Sequence, residues 1–259
     1  MTALSLAPSN PCAARVRPPT LASRARASAR SLANDLRLTF ERSTHEEDVC
    51  AAAACRAVAF ASSSDYADRS AYARRARVSF KTDAERESLT RKLRLRGEAT
   101  REVGYESVRV ALVVARAAVE GGTMPPGFDV RELDPRCLSA REDGLSLVVG
   151  SLDVNVGERL PAEELAGTES PGRRAYLSNV SVLPPARRRG IALALIELAM
   201  KVARDDFDVE TVYVHAEKRN EAAVACYTKA GFEMERIEPE SVSATHGRPP
   251  RVLFRRRTV

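Results

Sequence analysis

The chain predicts an α/β domain behind a leader of different composition. Three observations support this. Apolar runs of strand length (108–115, 145–155, 176–183 and 211–215) alternate with stretches of helical composition. A tight basic turn, Arg187-Arg188-Arg189-Gly190-Ile191-Ala192, stands directly between a strand and a helix. Residues 1–34 hold Arg15, Arg17, Arg24, Arg26 and Arg30 but no acid, unlike everything after them.

The leader comes first. Arg-rich, Ser-rich and acid-poor is the character of a plastid or mitochondrial transit peptide, and there is no apolar core of the kind a secretory signal needs. Residues 1–35 are therefore read as a disordered transit peptide, and 36–259 as the folded domain. No segment approaches the roughly 20 apolar residues of a membrane span, so no membrane partner is expected. The full chain has 41 basic and 35 acidic residues, a formal charge of +6. Without the five leader arginines the balance is 36 against 35, close to neutral. A nucleic-acid binder keeps its basic excess in the folded part, so nucleic acid is not expected as a partner.

Within the domain, residues 36–40 alternate like a first strand. Ser43 to Asp48 offer a helix N-cap with acids in the first turn, and the alanine-rich run to Phe60 is helical. Residues 65–105 have helical composition, as one long or two short helices. Their arginines are interrupted by Glu85, Glu87 and Glu98, as on a solvated face. A strand follows from Val108 to about Val119, then a loop insertion from Gly121 to Gly144. Leu145 to Asn155 is a strand with a bulge expected at Gly150, and residues 157–174 form another loop. The strand 176–183 stops at Pro184-Pro185, and Ile191 to Met200 is apolar enough for a buried helix. After the strand 211–215, the helix from Asn220 to Ala230 ends at Gly231. Phe232 to Ile237 then pairs with Arg251 to Arg255.

The basic turn has the chemistry of an anion site. The first N–H groups of a helix lack intrahelical acceptors, and the helix dipole favours negative charge there. Gly190 admits a close backbone approach, small Ala192 does so less well, and three arginines add charge. A pyrophosphate is the natural guest. Taken alone, the turn is equally a solvated basic loop capping an ordinary helix. Five cysteines without CxxC spacing and three scattered histidines form no metal constellation, so no metal is expected.

A second motif decides between those readings. The turn is followed, about thirty residues on, by Asn220-Glu-Ala-Ala223-Val-Ala-Cys-Tyr227-Thr-Lys229-Ala-Gly231-Phe232. Together they resemble the GCN5-related N-acetyltransferase (GNAT) superfamily, closely over 145–237 and loosely over 36–119. Ala192 departs from the usual glycine. The resemblance implies a mixed, mostly antiparallel sheet of six to seven strands, split between its fourth and fifth strands. Here those are 176–183 and 211–216. It implies acetyl-CoA as cosubstrate, with its pantetheine arm against the backbone of Val180, Ser181 and Val182. Its pyrophosphate would lie on Arg187, Arg188, Arg189, Gly190, Ile191, Ala192 and Leu193, with Asn220 a further contact.

The implied reaction is direct attack of a neutral amine on the thioester. The resemblance assigns Tyr227 as the acid that protonates the thiolate and pairs His215, the base, with Tyr176. An imidazole titrating near 6.5 accepts a proton at neutral pH. Glu217 is a reserve base, and the Val182 N–H the expected oxyanion donor. Deprotonating a lysine at pH 7 costs about 4.6 kcal/mol, against about 1 kcal/mol for a protein α-amine. A modest base therefore serves α-amines more readily. Plant and algal plastid members suggest protein or peptide amines as acceptors, in the plastid stroma ahead of the mitochondrion. Two alternatives stay open: a small-amine (arylalkylamine or polyamine) acetyltransferase, and a CoA-binding regulatory module. The oligomeric state is left undetermined.

Overall fold

The computed structural model describes residues 36–61, 70–94, 109–129, 133–157 and 173–258. The leader, the ends of the 65–105 segment and nearly all of the 157–174 loop lie outside the described residues.

The strands are β1 (Leu38–Ser43), β2 (Arg109–Ala118), β3 (Leu138–Arg141), β4 (Gly144–Val156), β5 (Arg174–Val182), β6 (Thr211–Glu217), β7 (Glu233–Ile237) and β8 (Arg251–Arg257). The helices are α1 (Glu46–Ala61), α2 (Ala71–Arg94), α3 (Ile191–Phe207), α4 (Glu221–Lys229) and α5 (Glu240–Thr245). All eight strands form one sheet, ordered β1-β2-β4-β5-β6-β8-β7, with β3 paired to β4 off that path. Every pairing is antiparallel except β5 with β6.

The sheet is covered on both faces, which is why β2 and β4 are buried at nearly every position rather than at alternate ones. On one face lies α1, where Ala51 to Ala54 are fully buried and their small side chains let the helix approach β4 closely. The long α2 packs on α1. On the other face α3 crosses β4, β2, β5 and β1. Gly150 permits that crossing. A Cβ there would stand 3.1 Å from Leu195 Cδ1 and 3.3 Å from Ile191 Cγ2, both on the first turns of α3.

Several sequence expectations shift. Among the described residues the sheet has eight strands rather than six to seven. The extra one, β3, lies in the segment expected to be a loop, closed onto β4 by the two-residue turn Glu142–Asp143. Four residues are too short for a period to register. The polar 65–105 stretch holds one long helix over its described part. The bulge in β4 falls at Val149, beside Gly150, because the register with β2 slips between Ala115↔Gly150 and Arg116↔Val148. Gly150 serves helix packing instead. Ser43 ends β1 rather than capping α1, its hydroxyl donating to Asp48 at 2.6 Å and accepting the His45 N–H.

The split between 176–183 and 211–216 is present. β5 and β6 pair only at Arg174↔Thr211, Ala175↔Val212 and Tyr176↔Tyr213. Beyond Tyr176, β5 continues along β4 alone as far as Val182↔Gly150, while β6 continues along β8. Two strand edges therefore diverge from a common root.

Candidate active site

The basic turn sits at the open end of this split. Pro184–Ala186 make a single 3-10 turn after β5, and α3 starts at Ile191. Arg188 and Gly190 both adopt left-handed backbone, at φ 65° and 82°. Gly190 is the N-cap residue and offers no side chain, so the first amides of α3 keep the helix's unmet donors. A Cβ on Gly190 would meet nothing within 4 Å, which leaves the approach to those amides open. Arg188 is exposed, and Arg189 lies partly buried beside Gly127. Arg187, also exposed, folds back on the backbone. Its Nε donates to Val182 O at 3.1 Å and its Nη2 to Ala59 O at 2.9 Å, tying the end of β5 to the end of α1. The turn, Ile191 and Ala194 also border a cavity of about 430 Å³ shared with Arg37, Leu38 and Phe40 of the β1 edge.

The edge of β5 facing the split carries backbone donors. The Leu183 N–H is bonded to Val149 O at 2.9 Å, so it points toward β4. Successive strand amides alternate in direction, and the Val182 N–H therefore faces the open side. Val180 and Val182 are half-buried there, and Ser181 is buried against Ser151.

At the root of the split, Tyr176 and His215 meet. Tyr176 Oη is hydrogen-bonded to His215 Nδ1, and the rings lie 5.6 Å apart between centroids, tilted by 37°. Strand alternation explains the meeting. Tyr176 is the register partner of Tyr213, and His215 lies two residues further along the same face. Tyr176, Tyr213 and Leu253 form a small buried cluster apart from the main core, on the face covered by α1. His215 is half-buried at its margin, where a base can be both held and reached. Asn155 supports Tyr176 from β4, its Nδ2 donating to Tyr176 O and Ser178 Oγ at 2.9 Å each.

Tyr227 lies on the opposite face. It is buried on α4 with its ring against Phe254 (5.9 Å, edge-on) and Phe232 (6.2 Å). Burial pushes its phenol well above the ordinary tyrosine range, so it stays protonated. Neighbouring Cys226 is half-buried and its thiol is likewise pushed up by burial, away from nucleophilic chemistry. Asn220 caps α4, accepting the Ala223 N–H at 3.1 Å. Glu217, the reserve base, is paired with Arg219 at 3.0 Å.

The structure thus brings Tyr176 and His215 into contact and gathers 187–193 with the edge of β5, while Tyr227 stands across the sheet. Sequence reasoning missed a buried group beneath that edge. Arg56 of α1 and Asp153 of β4 are 1% and 0% exposed and bonded through the two terminal guanidinium nitrogens, at 2.5 and 3.2 Å. The Asn179 amide donates to the same carboxylate at 2.9 Å. The signal existed: Arg56 is the only charge in residues 49–64, and Asp153 the only one in 145–157. A lone charge in an apolar run asks for a partner.

A split α/β sheet thus carries a basic turn at its open end and a phenol–imidazole pair at its root. Residues 117–232 match the model of the Acetyltransferase (GNAT) family. It is 37% identical over 147 residues to GCN5-related N-acetyltransferase 7, chloroplastic, of Arabidopsis thaliana, covering 54% of this chain and 53% of that protein. It is 30% identical over 103 residues to an N-alpha-acetyltransferase of Saccharolobus solfataricus, covering 38% of this chain and 62% of that protein. The chain spans about half the length of the first of these and less than two thirds of the second. Among solved structures, it is similar to the ribosomal-protein-S18-alanine N-acetyltransferase of Escherichia coli. There the TM-score is 0.46 at 14% identity, over 85% of this chain and 94% of that one.

Proposed function

We propose that the chain is an acetyl-CoA-dependent N-acetyltransferase that modifies protein α-amines, and lysine side chains more slowly, in the plastid. The observation that carries the reading is the Tyr176–His215 hydrogen bond at the root of the split. The residues present fit acetyl-CoA. The first amides of α3 and Arg188 and Arg189 suit a pyrophosphate, and the unpaired edge of β5 suits the amide-bearing arm. Acetyl-CoA supplies an activated acyl thioester; the chain supplies position and proton transfer.

In the productive tautomer the Nδ1 proton of His215 lies on the bond to Tyr176 Oη. His215 Nε2 then takes the proton from the incoming ammonium, directly or through water. The Val182 N–H is oriented to stabilise the developing oxyanion, a contribution of roughly 2.7–4 kcal/mol for one such donor. Tyr227, protonated by virtue of its burial, is suited to donate to the departing thiolate. Base and acid lie on opposite faces of the sheet, which separates the two proton transfers in space.

The protein-amine reading draws on the N-alpha-acetyltransferase relative and on the lower cost of deprotonating an α-amine. The plastid reading draws on two relatives named chloroplastic and on the leader-like residues 1–34. The test is mass spectrometry of a peptide library and a panel of polyamines and arylalkylamines after incubation with the full-length protein and acetyl-CoA. Acetylated peptide N-termini are expected. Modification of small amines alone would refute the protein-substrate reading. His215→Ala should lower kcat by roughly 10²–10⁴ and flatten the acid limb of the pH–rate profile. An unaltered acid limb would move the base role elsewhere.

A further inference from the structure

We propose that Arg56, Asp153 and Asn179 are positioning residues, a buried clamp on a one-residue slip in β5 that turns the Val182 N–H toward the split. The proposal rests on the reading of that split as the acyl-donor site.

The slip is visible in the register. Ser178 pairs with Asp153, but the next pair is Ser181 with Ser151, so Asn179 and Val180 stand opposite Leu152 alone. Its effect follows from strand alternation. Ahead of the slip, Arg173 O accepts from Glu210 and Thr211 on the β6 side, at 2.8 and 3.3 Å. Tyr176 O accepts from Asn155 on the β4 side. Even-numbered residues therefore face β4 there. After the slip it is odd-numbered Leu183 whose N–H reaches β4. In an unslipped strand the Val182 N–H would be bonded to β4. The extra residue releases it to the open side.

Asn179 takes up the slip in left-handed backbone, φ 56°, which asparagine tolerates better than other side chains. Its Nδ2 is held by Asp153 Oδ2 at 2.9 Å, and both Asp153 oxygens are held by Arg56. On the far side of the slip, Arg56 Nε donates to Ser151 Oγ at 3.1 Å, which lies 3.3 Å from Ser181 Oγ. One guanidinium from α1 thus grips both ends of the distortion. Arg56 and Asp153 lie on α1 and β4, away from the open edge, and Asn179 forms the slip itself; all three act through Val182.

The test variant is Asn179→Gly, which keeps the left-handed conformation without strain, removes only the amide, and leaves the Arg56–Asp153 pair intact. In the full-length protein, at saturating acetyl-CoA with an acceptor peptide, kcat should fall at least about tenfold. The acceptor KM should stay within about twofold and the thermal midpoint within a few degrees. A kcat within about twofold of wild type would overturn the proposal. So would a loss that vanishes when both proteins are assayed equally far below their midpoints. If the unsubstituted protein neither binds acetyl-CoA in calorimetry nor transfers acetyl, the reading of the split itself fails, and this proposal with it.

Discussion

Replacing Gly150 by alanine adds one methyl group where the first turn of α3 crosses the sheet. The new Cβ would lie 3.0 Å from Ser181 O, 3.1 Å from Leu195 Cδ1 and 3.3 Å from Ile191 Cγ2. Leu195 can yield by a small rotamer shift. Ser181 O belongs to backbone flanked by the slip in β5 and cannot yield cheaply. Overpacking of this kind costs about 1–3 kcal/mol, offset by about 0.4–1 kcal/mol from the lower entropy of the unfolded alanine chain. Taking the middle of each range, the net loss is about 1.3 kcal/mol, and at roughly 2–4 °C per kcal/mol the thermal midpoint should fall by about 3–5 °C. The relief available is for α3 to lift away from β4. That moves its leading amides relative to the β5 edge, so acetyl-CoA should bind roughly tenfold more weakly, the equivalent of one weakened bond to a charged group. Differential scanning calorimetry and isothermal titration with acetyl-CoA read the two effects separately. A midpoint equal to wild type or above it, with unchanged affinity, would refute the close-approach argument.

Two further substitutions probe the C-terminal part of the domain. Tyr227→Phe keeps the ring against Phe232 and Phe254, so stability and acetyl-CoA affinity should barely change while turnover falls by about 10² or more. Because burial raises the phenol, the wild-type alkaline limb should show no ordinary tyrosine titration near pH 10; unchanged turnover would remove Tyr227 from the mechanism. Glu238 is 2% exposed, and its carboxylate accepts from Arg248 and from the side chain and N–H of Arg251. Those bonds, Arg248 foremost, hold it far below the usual carboxylate range. Its contribution to stability is therefore present above about pH 4.5 and lost as the pH falls toward its native value. Glu238→Gln should be less stable than wild type in urea at pH 7, and the gap should narrow by pH 3; a gap that is constant with pH would rule out the ionised carboxylate as the source.

Local features of the fold were legible and pairwise ones were not. The strand 176–183, its Pro-Pro stop, the glycine turn and the apolar helix from Ile191 are all encoded within about 25 consecutive residues, and each stands where periodicity put it. Asn220 as a cap and Gly231 as a helix stop are equally local. The slip at Asn179 and the bulge at Val149 depend on which residue of another strand lies opposite, and no window on one strand carries that information. Arg56 and Asp153 each stand out as single charges in apolar runs, but they are 97 positions apart, and spacing cannot join them. Tyr176 and His215 were paired through the family resemblance, not through their 39-residue separation. The strand β3 and the helix α5 are short and polar, and form because neighbouring strands or turns hold them.

The three-pair parallel root between β5 and β6 has a consequence for handling the protein. Past Tyr176 the two strands no longer pair with each other, so the gap lies in the middle of the sheet rather than at its rim. Unpaired edges invite foreign strands, and here the usual protections of charge and proline are absent from the inner edge, Leu177 to Val182. A carrier lying along the gap would act as a removable strand. It would zip the seam, suppress sticking between molecules, and raise the melting point by mass action in proportion to the logarithm of its concentration. Storage with the carrier present, and stripping it only for assay, follows from the topology.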